Sequence, residues 1–362
     1  AQRAMVWIPA LAEVGLAAAA LGPFLMHRLS VGRWRKTPLL YPKSKQTEPE
    51  HSLTVVLPVW NEALIIEKKL ENLAAQDGKK SSLLVIDSAS TDDTVKRIQS
   101  WLKSNPKAFK DSKVIKMEQR LGKTKALQMA LESLEANTYE GLICMTDADA
   151  QLKSNALQRL QGWFANPTIG AVGASAERSG GVQQEQVHRD MFELLREGES
   201  AHDSTPFLEG SLMMWRASGF HSSQLNTGSN ADDAQIATQV RLNGLRSIHD
   251  RETQFQDVAP TTHEGQRRQK VRRAQGLQRL LLRHRKHWRS SRIGDFSLIL
   301  RREAHFHLTA PLLMVGVATA AVLRWGTVLV WGMPIGSLAV LHGSLAMCEL
   351  FGLTAWALHR NG

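Results

Sequence analysis

The sequence predicts an α/β domain, a largely parallel sheet covered by helices, set between apolar ends. Two observations predict it. Between His51 and Gly276 short β-branched apolar runs alternate with stretches of helical period, the pattern of strands joined through helical crossovers. Runs long enough to cross a bilayer, by contrast, occur only near the two ends of the 362 residues.

The first element runs from Met5 to Met26 and is almost wholly apolar, interrupted by Pro9, Glu13 and Pro23. About 20 such residues suffice to span a hydrocarbon core. Arg28, Arg33, Arg35, Lys36, Lys43 and Lys45 come after the run instead of preceding it. That order argues against a cleaved leader and places the downstream residues on the cytoplasmic side. Residues 1–30 are therefore expected to anchor the chain, and 31–50, which include "PLLYPKSKQTEPE", to be a linker.

The domain itself is expected over 51–276. "LTVVLP" reads as a strand followed by a helix over Glu62 to Ala75, and "SLLVID" as a strand followed by a helix over Asp92 to Leu102. "SKVIKM" precedes a helix from Thr124 to Leu134, and "GLICMT" precedes one from Ser154 to Phe164. After Gly276 the composition shifts to Arg mixed with Leu, Ile, Phe and Trp, so 277–306 reads as a basic amphipathic segment on an anionic bilayer. A basic nucleic-acid-binding arm is the other reading of that stretch. Residues 307–362 read as an apolar hairpin, Leu308 to Leu323 and Val328 to Leu358, turning at a Trp-Gly break beside Arg324. Buried core helices, or helices lying in the interface, would share this pattern, and the mean hydropathy of −0.24 keeps that reading open.

Composition narrows the function classes. A net charge of +11 and a pI near 9.8 favour an anionic partner without choosing one. Cys144 and Cys348 are the only cysteines, which argues against a disulfide framework and a structural zinc site. "RLGKTK" resembles the end of a phosphate-binding P-loop, but Met117 stands where that loop needs its first glycine. Lys123 in that stretch reads either as a phosphate contact or as a solvated lysine. The thirteen histidines, His284/His287 and His305/His307 among them, read as surface or interfacial groups.

The chemistry gathers at strand ends, where open parallel sheets bind ligands. Glu62 follows the first strand, Asp87 closes the second, and Asp147 with Asp149 closes "GLICMT". Residues i and i+2 of an extended segment point the same way, so Asp147 and Asp149 share a side. Paired carboxylates repel unless a cation joins them or one is protonated, and Mg²⁺ or Mn²⁺ suits such a pair together with phosphate oxygens. Asp232 and Asp233 head a helical pattern. They fit helix capping and the helix dipole, or a general base near a reacting hydroxyl. Arg267, Arg268, Lys270, Arg272 and Arg273 form a cationic cluster, either a solvated face or a counter-charge for a departing diphosphate.

The order of these motifs resembles the family 2 glycosyltransferases, inverting enzymes of GT-A fold. "VLPVWNEA", "VIDSASTDDT", "RLGKTKALQMAL", "TDADA", "FLEGSLMMWR", "ADDAQI" and "QKVRRAQG" are similar to that family's successive motifs, from Leu53 to Gly276. The resemblance implies a Rossmann-like, mostly parallel mixed sheet with helices on both faces. It further implies a nucleotide-sugar donor, of UDP type, held by Pro58, Asn61, Glu62, Asp87, Lys123, Asp147, Gln269, Arg272 and Arg273. Asp87 would meet the nucleotide base, and Asp149 with Asp147 would hold the metal. Glu209, Gly210 and Ser211 would lie on the acceptor side, and Asp233 would be the base, with Asp232 as the alternative. Ser88, Asp232 and Arg273 stand where the family has a second acid, Glu and Trp.

The flanking apolar segments resemble the membrane-integrated branch, which includes ceramide glucosyltransferases and cellulose and hyaluronan synthases. That likeness implies a lipid or lipid-linked glycan acceptor, a membrane partner and a cytoplasm-facing catalytic domain, with nucleic acid not expected. A processive polysaccharide synthase and a non-catalytic, membrane-tethered binding module are the alternatives.

Overall fold

The computed structural model describes residues 2–42, 51–178, 183–257, 263–332 and 336–361. The end of the expected linker, 43–50, lies outside the described residues. Residues 31–301 form one compact unit, and residues 1–30 with 302–362 form another.

In the first unit eight strands make one sheet among the described residues: β1 (Leu53–Val59), β2 (Ser82–Asp87), β3 (Ser112–Lys116), β4 (Leu142–Thr146), β5 (Gln151–Leu152), β6 (Ile169–Arg178), β7 (Leu212–Arg216) and β8 (Arg246–Asp257). Their order is β3-β2-β1-β4-β7-β6-β8-β5. The neighbours from β3 to β4 are parallel, as are β6 and β8. Strand β7 runs antiparallel between β4 and β6, and β5 antiparallel to β8. The expected mixed, mostly parallel sheet is what forms.

Both faces are covered. Alternation along β1 sends Val55 and Leu57 into one core and Val56 into the other. The first core is closed by α2 (Ile66–Ala74), α3 (Thr94–Ser104) and α5 (Ala156–Trp163) through Ile66, Leu70, Ile98 and Leu160. The second is closed by α4 (Lys123–Ala136) through Leu127 and Leu131, and by α7 (Asp232–Leu242) through Ile236 and Val240. A sheet buried on both sides has near-continuous apolar strands, hence "LTVV" and "LICM". The helix expected from Glu62 starts at Ile66. Asn61 takes a left-handed φ of 55°, and the Glu62 carbonyl accepts from the Ile65 and Ile66 N–H groups, so these residues make a turn first.

Helix α6 (Gln183–His202) precedes β7, and α8 (His263–Arg283) follows β8. A Cβ built at Gly276 would lie 3.0 Å from the Ala231 Cβ. The missing side chain thus lets α8 approach the start of α7 closely. The basic segment buries Leu280 and Leu281, then Phe296, Ile299 and Leu300 at the start of α9 (Phe296–Ala304).

The other unit contains most of α1 (Gln2–Trp34), all of α10 (Ala310–Trp331) and α11 (Ser337–Asn361), and the end of α9. Among the described residues three helical stretches are long and apolar enough to cross a membrane: Trp7–Trp34, Phe296–Trp331 and Ser337–Thr354. Leu312, Val315, Val322, Leu329 and Val330 stay exposed on α10, as lipid-facing side chains would. Helix α10 runs unbroken through Trp325 and Gly326. It ends instead at Gly332, whose φ of 83° suits a residue without Cβ.

Candidate active site

The carboxyl ends of β1 and β2 form one side of the site. The Asn61 N–H donates to Ser90 Oγ (2.9 Å), and Asn61 Oδ1 accepts from the Thr91 N–H (2.8 Å). The Glu62 N–H donates to Thr94 Oγ1 (2.8 Å), so the loops after the two strands are tied together. Asp87 is buried, and both its oxygens accept from the Ser90 N–H at 3.2 Å. Pro58 pairs in register with Ile86, and Val59 with Asp87. The guanidinium of Arg120 lies 3.3 Å from the centroid of the Trp60 ring.

The acidic centre lies where β4 meets β7. Asp147 Oδ1 pairs with Lys123 Nζ at 2.5 Å, and Asp147 Oδ2 accepts from Ser211 Oγ at 3.0 Å. Lys123 also reaches the Gly210 carbonyl (3.4 Å) and Asp232 Oδ2 (3.9 Å). Asp232 and Asp233 are the first two residues of α7, where the helix dipole favours negative charge. A Cβ at Gly210 would lie 3.2 Å from Asp233 Oδ2, so the glycine leaves room for that carboxylate. Glu209 accepts from Arg196 Nη1 at 2.6 Å.

Burial and crowding shift these groups. Burial first and then Asp232 push Asp233 up to about 7. Burial, then Asp149, Asp147 and Asp92, push Glu62 up to about 7. Asp149 is likewise raised, by burial and then by Asp147 and Asp257. Burial lowers Lys123, but Asp147 and Asp232 outweigh it and the net shift is upward.

Asp147, Lys123, Gly210, Ser211, Asp232 and Asp233 therefore share one cluster, bordered by Glu209 and, through their fields, by Asp149 and Glu62. Gln269 is half-buried on α8, whereas Arg272 and Arg273 are exposed. Among the described residues no hydrogen bond or ion pair ties these three to the acids. Arg272 stands one helical turn before Gly276, which packs at Ala231 beside the cluster. Sequence reasoning missed two residues here, Arg196 and the fully buried Lys69. The signal for Lys69 was its place in the row Ile66, Lys69, Leu70, Leu73, spaced for one helix face.

Residues 54–224 match the family model described as glycosyl transferase family 2. That stretch, a little under half of the chain, is similar to the family 2 glycosyl transferases. The fold of the chain is similar to that of a mannosyltransferase from Pyrobaculum calidifontis solved in complex with GDP-Man and Mn²⁺. That match has 27% identity and a TM-score of 0.75, covering 94% of this chain and 92% of the other. Among curated proteins, the poly-beta-1,6-N-acetyl-D-glucosamine synthase of Staphylococcus aureus is 22% identical over 64% of this chain and 56% of its own length. The Staphylococcus epidermidis protein of the same name is 23% identical over 68% of this chain and 59% of its own length. The chain thus spans little more than half the length of these relatives. The fold is GT-A-like, with apolar helices near both ends.

The residues present fit a divalent cation. Asp147 and Asp149 offer oxygen donors only, and Asp149 is exposed with further carboxylates raising its pKa, an arrangement that a hard cation relieves.

Proposed function

We propose that this domain is an inverting, metal-dependent transferase that moves one sugar from a nucleotide-sugar donor to a lipid or lipid-linked acceptor at a membrane surface. The observation that carries the reading is the convergence on Lys123 of Asp147, Asp232 and the Gly210 carbonyl, with Asp233 beside Gly210 and poised near neutrality. A base with pKa near the working pH is well matched to taking a proton from a sugar or lipid hydroxyl.

Asp87 and Asn61, fixed by Ser90 and Thr91, form the nucleotide end of the site. Lys123 and Arg272 stand on the diphosphate side, and Glu209, Gly210 and Ser211 on the acceptor side. Asp233 removes the acceptor proton as that oxygen bonds to the anomeric carbon. The bond from that carbon to the diphosphate breaks, and its electron pair leaves with the nucleoside diphosphate. Attack from the face opposite the leaving group inverts the centre. Mg²⁺ or Mn²⁺ held at Asp149 and Asp147 would supply positive charge to the leaving group. The cations that come after α1 support a cytoplasm-facing domain, and the domain boundaries expected from sequence are retained as part of this proposal.

On the donor, the motif resemblance favours a UDP-sugar. A second reading, GDP-mannose, is favoured by the likeness to the mannosyltransferase solved with GDP-Man. On the product, the two synthase relatives favour polymerisation as the alternative to single transfer. Transfer assays with the full chain, Mn²⁺, a panel of UDP- and GDP-sugars and lipid acceptors test all of this. One donor is expected to turn over, product length separates single transfer from polymer, and Asp149→Ala should lose metal-dependent nucleotide binding. The proposal is overturned if no donor turns over and Asp149→Ala binds nucleotide as the wild type does. Nucleotide binding without transfer would favour the tethered binding module.

A further inference from the structure

Lys69 occupies a core position of α2. Its side chain is 0% exposed, in a row with Ile66, Leu70 and Leu73. A buried amine is costly unless its donors are satisfied. Here Nζ donates to Thr146 Oγ1 (2.9 Å) and to the Ala150 carbonyl. Those acceptors immediately flank Asp147, Ala148 and Asp149, so one amine holds both ends of the acidic turn. The Thr146 hydroxyl passes its own hydrogen to the Ser211 carbonyl (2.9 Å), and Ser211 Oγ donates to Asp147. One hydrogen-bonded path therefore joins α2, the acidic turn and the head of β7.

Packing alone does not account for the amine. An unbranched apolar side chain would fill the row without desolvating a polar head, and Cys144 and Leu142 line the same core. Two donors suffice for the two bonds whether or not the amine carries a charge. We infer that Lys69 is a positioning residue that sets the spacing and aim of Asp147 and Asp149 as ligands for a divalent cation. The inference rests on the metal-dependent reading above. Groups behind metal ligands tune affinity by orienting them, and losing one typically weakens binding or activity by about 10- to 100-fold.

The test titrates Mn²⁺ into the full-length protein in detergent, following free Mn²⁺ by electron paramagnetic resonance, with transfer kinetics in parallel. Lys69→Met should weaken Mn²⁺ binding by about tenfold or more, and should raise the Mn²⁺ concentration needed for half-maximal activity more than it lowers kcat at saturating Mn²⁺. A folded Lys69→Met protein that binds Mn²⁺ as the wild type does overturns the inference, leaving Lys69 a core hydrogen-bonding residue. Should Lys69→Met fail to fold, Thr146→Val and Thr146→Ser decide. The valine variant removes the hydroxyl and should bind Mn²⁺ more weakly, the serine variant should recover it, and equal affinities overturn the inference. A wild-type protein that binds no Mn²⁺ is a different failure, that of the metal-dependent reading itself, and the inference falls with it.

Discussion

Each unit of the molecule has an ionic cluster, partly buried in one and built on a fully buried cation in the other, and the two are balanced differently. In the sheet unit one cation, Lys123, faces Asp147 and Asp232, with Asp233 next to them. In the apolar helices Arg324 is fully buried and meets Glu13 at 2.8 Å, Glu349 at 2.5 Å and His342 Nδ1 at 2.5 Å. Trp325 Nε1 donates to the other oxygen of Glu349 at 2.8 Å. From α10 the guanidinium fork spreads its donors over residues of α1 and α11, so that cluster closes on itself. The acidic centre instead leaves carboxylates in excess, with Asp149 exposed. Removing charge from water is expensive in both places. A closed cluster turns that cost into the choice of one helix arrangement, whereas an open one keeps a field ready for a cationic ligand and a base near neutrality.

The comparison breaks most readily at Asp233. Asp233→Asn keeps the shape and removes the proposed base, and is expected to lower kcat by about 10²- to 10⁴-fold with nucleotide affinity retained. Steady-state transfer and nucleotide titration check this, and a larger loss in Asp232→Asn than in Asp233→Asn would exchange the two roles. Arg324→Leu sharpens the other side. It strands Glu13 and Glu349 in an apolar setting, at a cost of about 3–5 kcal/mol in stability, read by unfolding in detergent. Activity per folded molecule should persist, and a matching loss of kcat would mean that the helix cluster takes part in the chemistry.

How much of this was legible in the sequence depends on which interactions are local. Strands β1, β2 and β4 and the acids closing them could be read because two-sided burial makes near-continuous apolar runs and acids mark where each run ends. The antiparallel entry of β7 could not, because "LMMWR" encodes burial but no direction. From sequence Lys123 reads equally as a phosphate contact and as a solvated lysine, since its pairing with Asp147 depends on how β4 and α4 approach each other. Lys69 carries no sequence signal strong enough to place it in the core, because a lysine within a helical pattern ordinarily lies in water. The polar interruptions Glu13, Arg324, His342 and Glu349 were each visible, but Glu13 and Arg324 are 311 residues apart and nothing local announces their contact. The Trp-Gly pair reads as the hairpin break, yet a glycine inside an apolar helix is tolerated, and the helix ends only at Gly332, in the left-handed region.

The smallest expected effect is the dependence of stability on pH, and its sign tests whether the acidic centre is uncompensated. Asp233 and Glu62 titrate near 7 in the folded chain, against about 4 for unfolded carboxyls. Between those values the folded state binds more protons than the unfolded one. Their contribution is therefore complete below about pH 4 and is lost as pH rises through about 7. Both side chains are half-buried, so solvent screening trims the effect to on the order of a few degrees in Tm between pH 5 and 8 with chelator present. Mn²⁺ should oppose the fall at the alkaline end, because the cation binds the ionised carboxylates of the same field. Asp233→Asn and Glu62→Gln should each flatten the slope measured by thermal unfolding across that range. If neither does, the carboxylates are already compensated, and the contrast between an open acidic centre and a closed helix cluster fails.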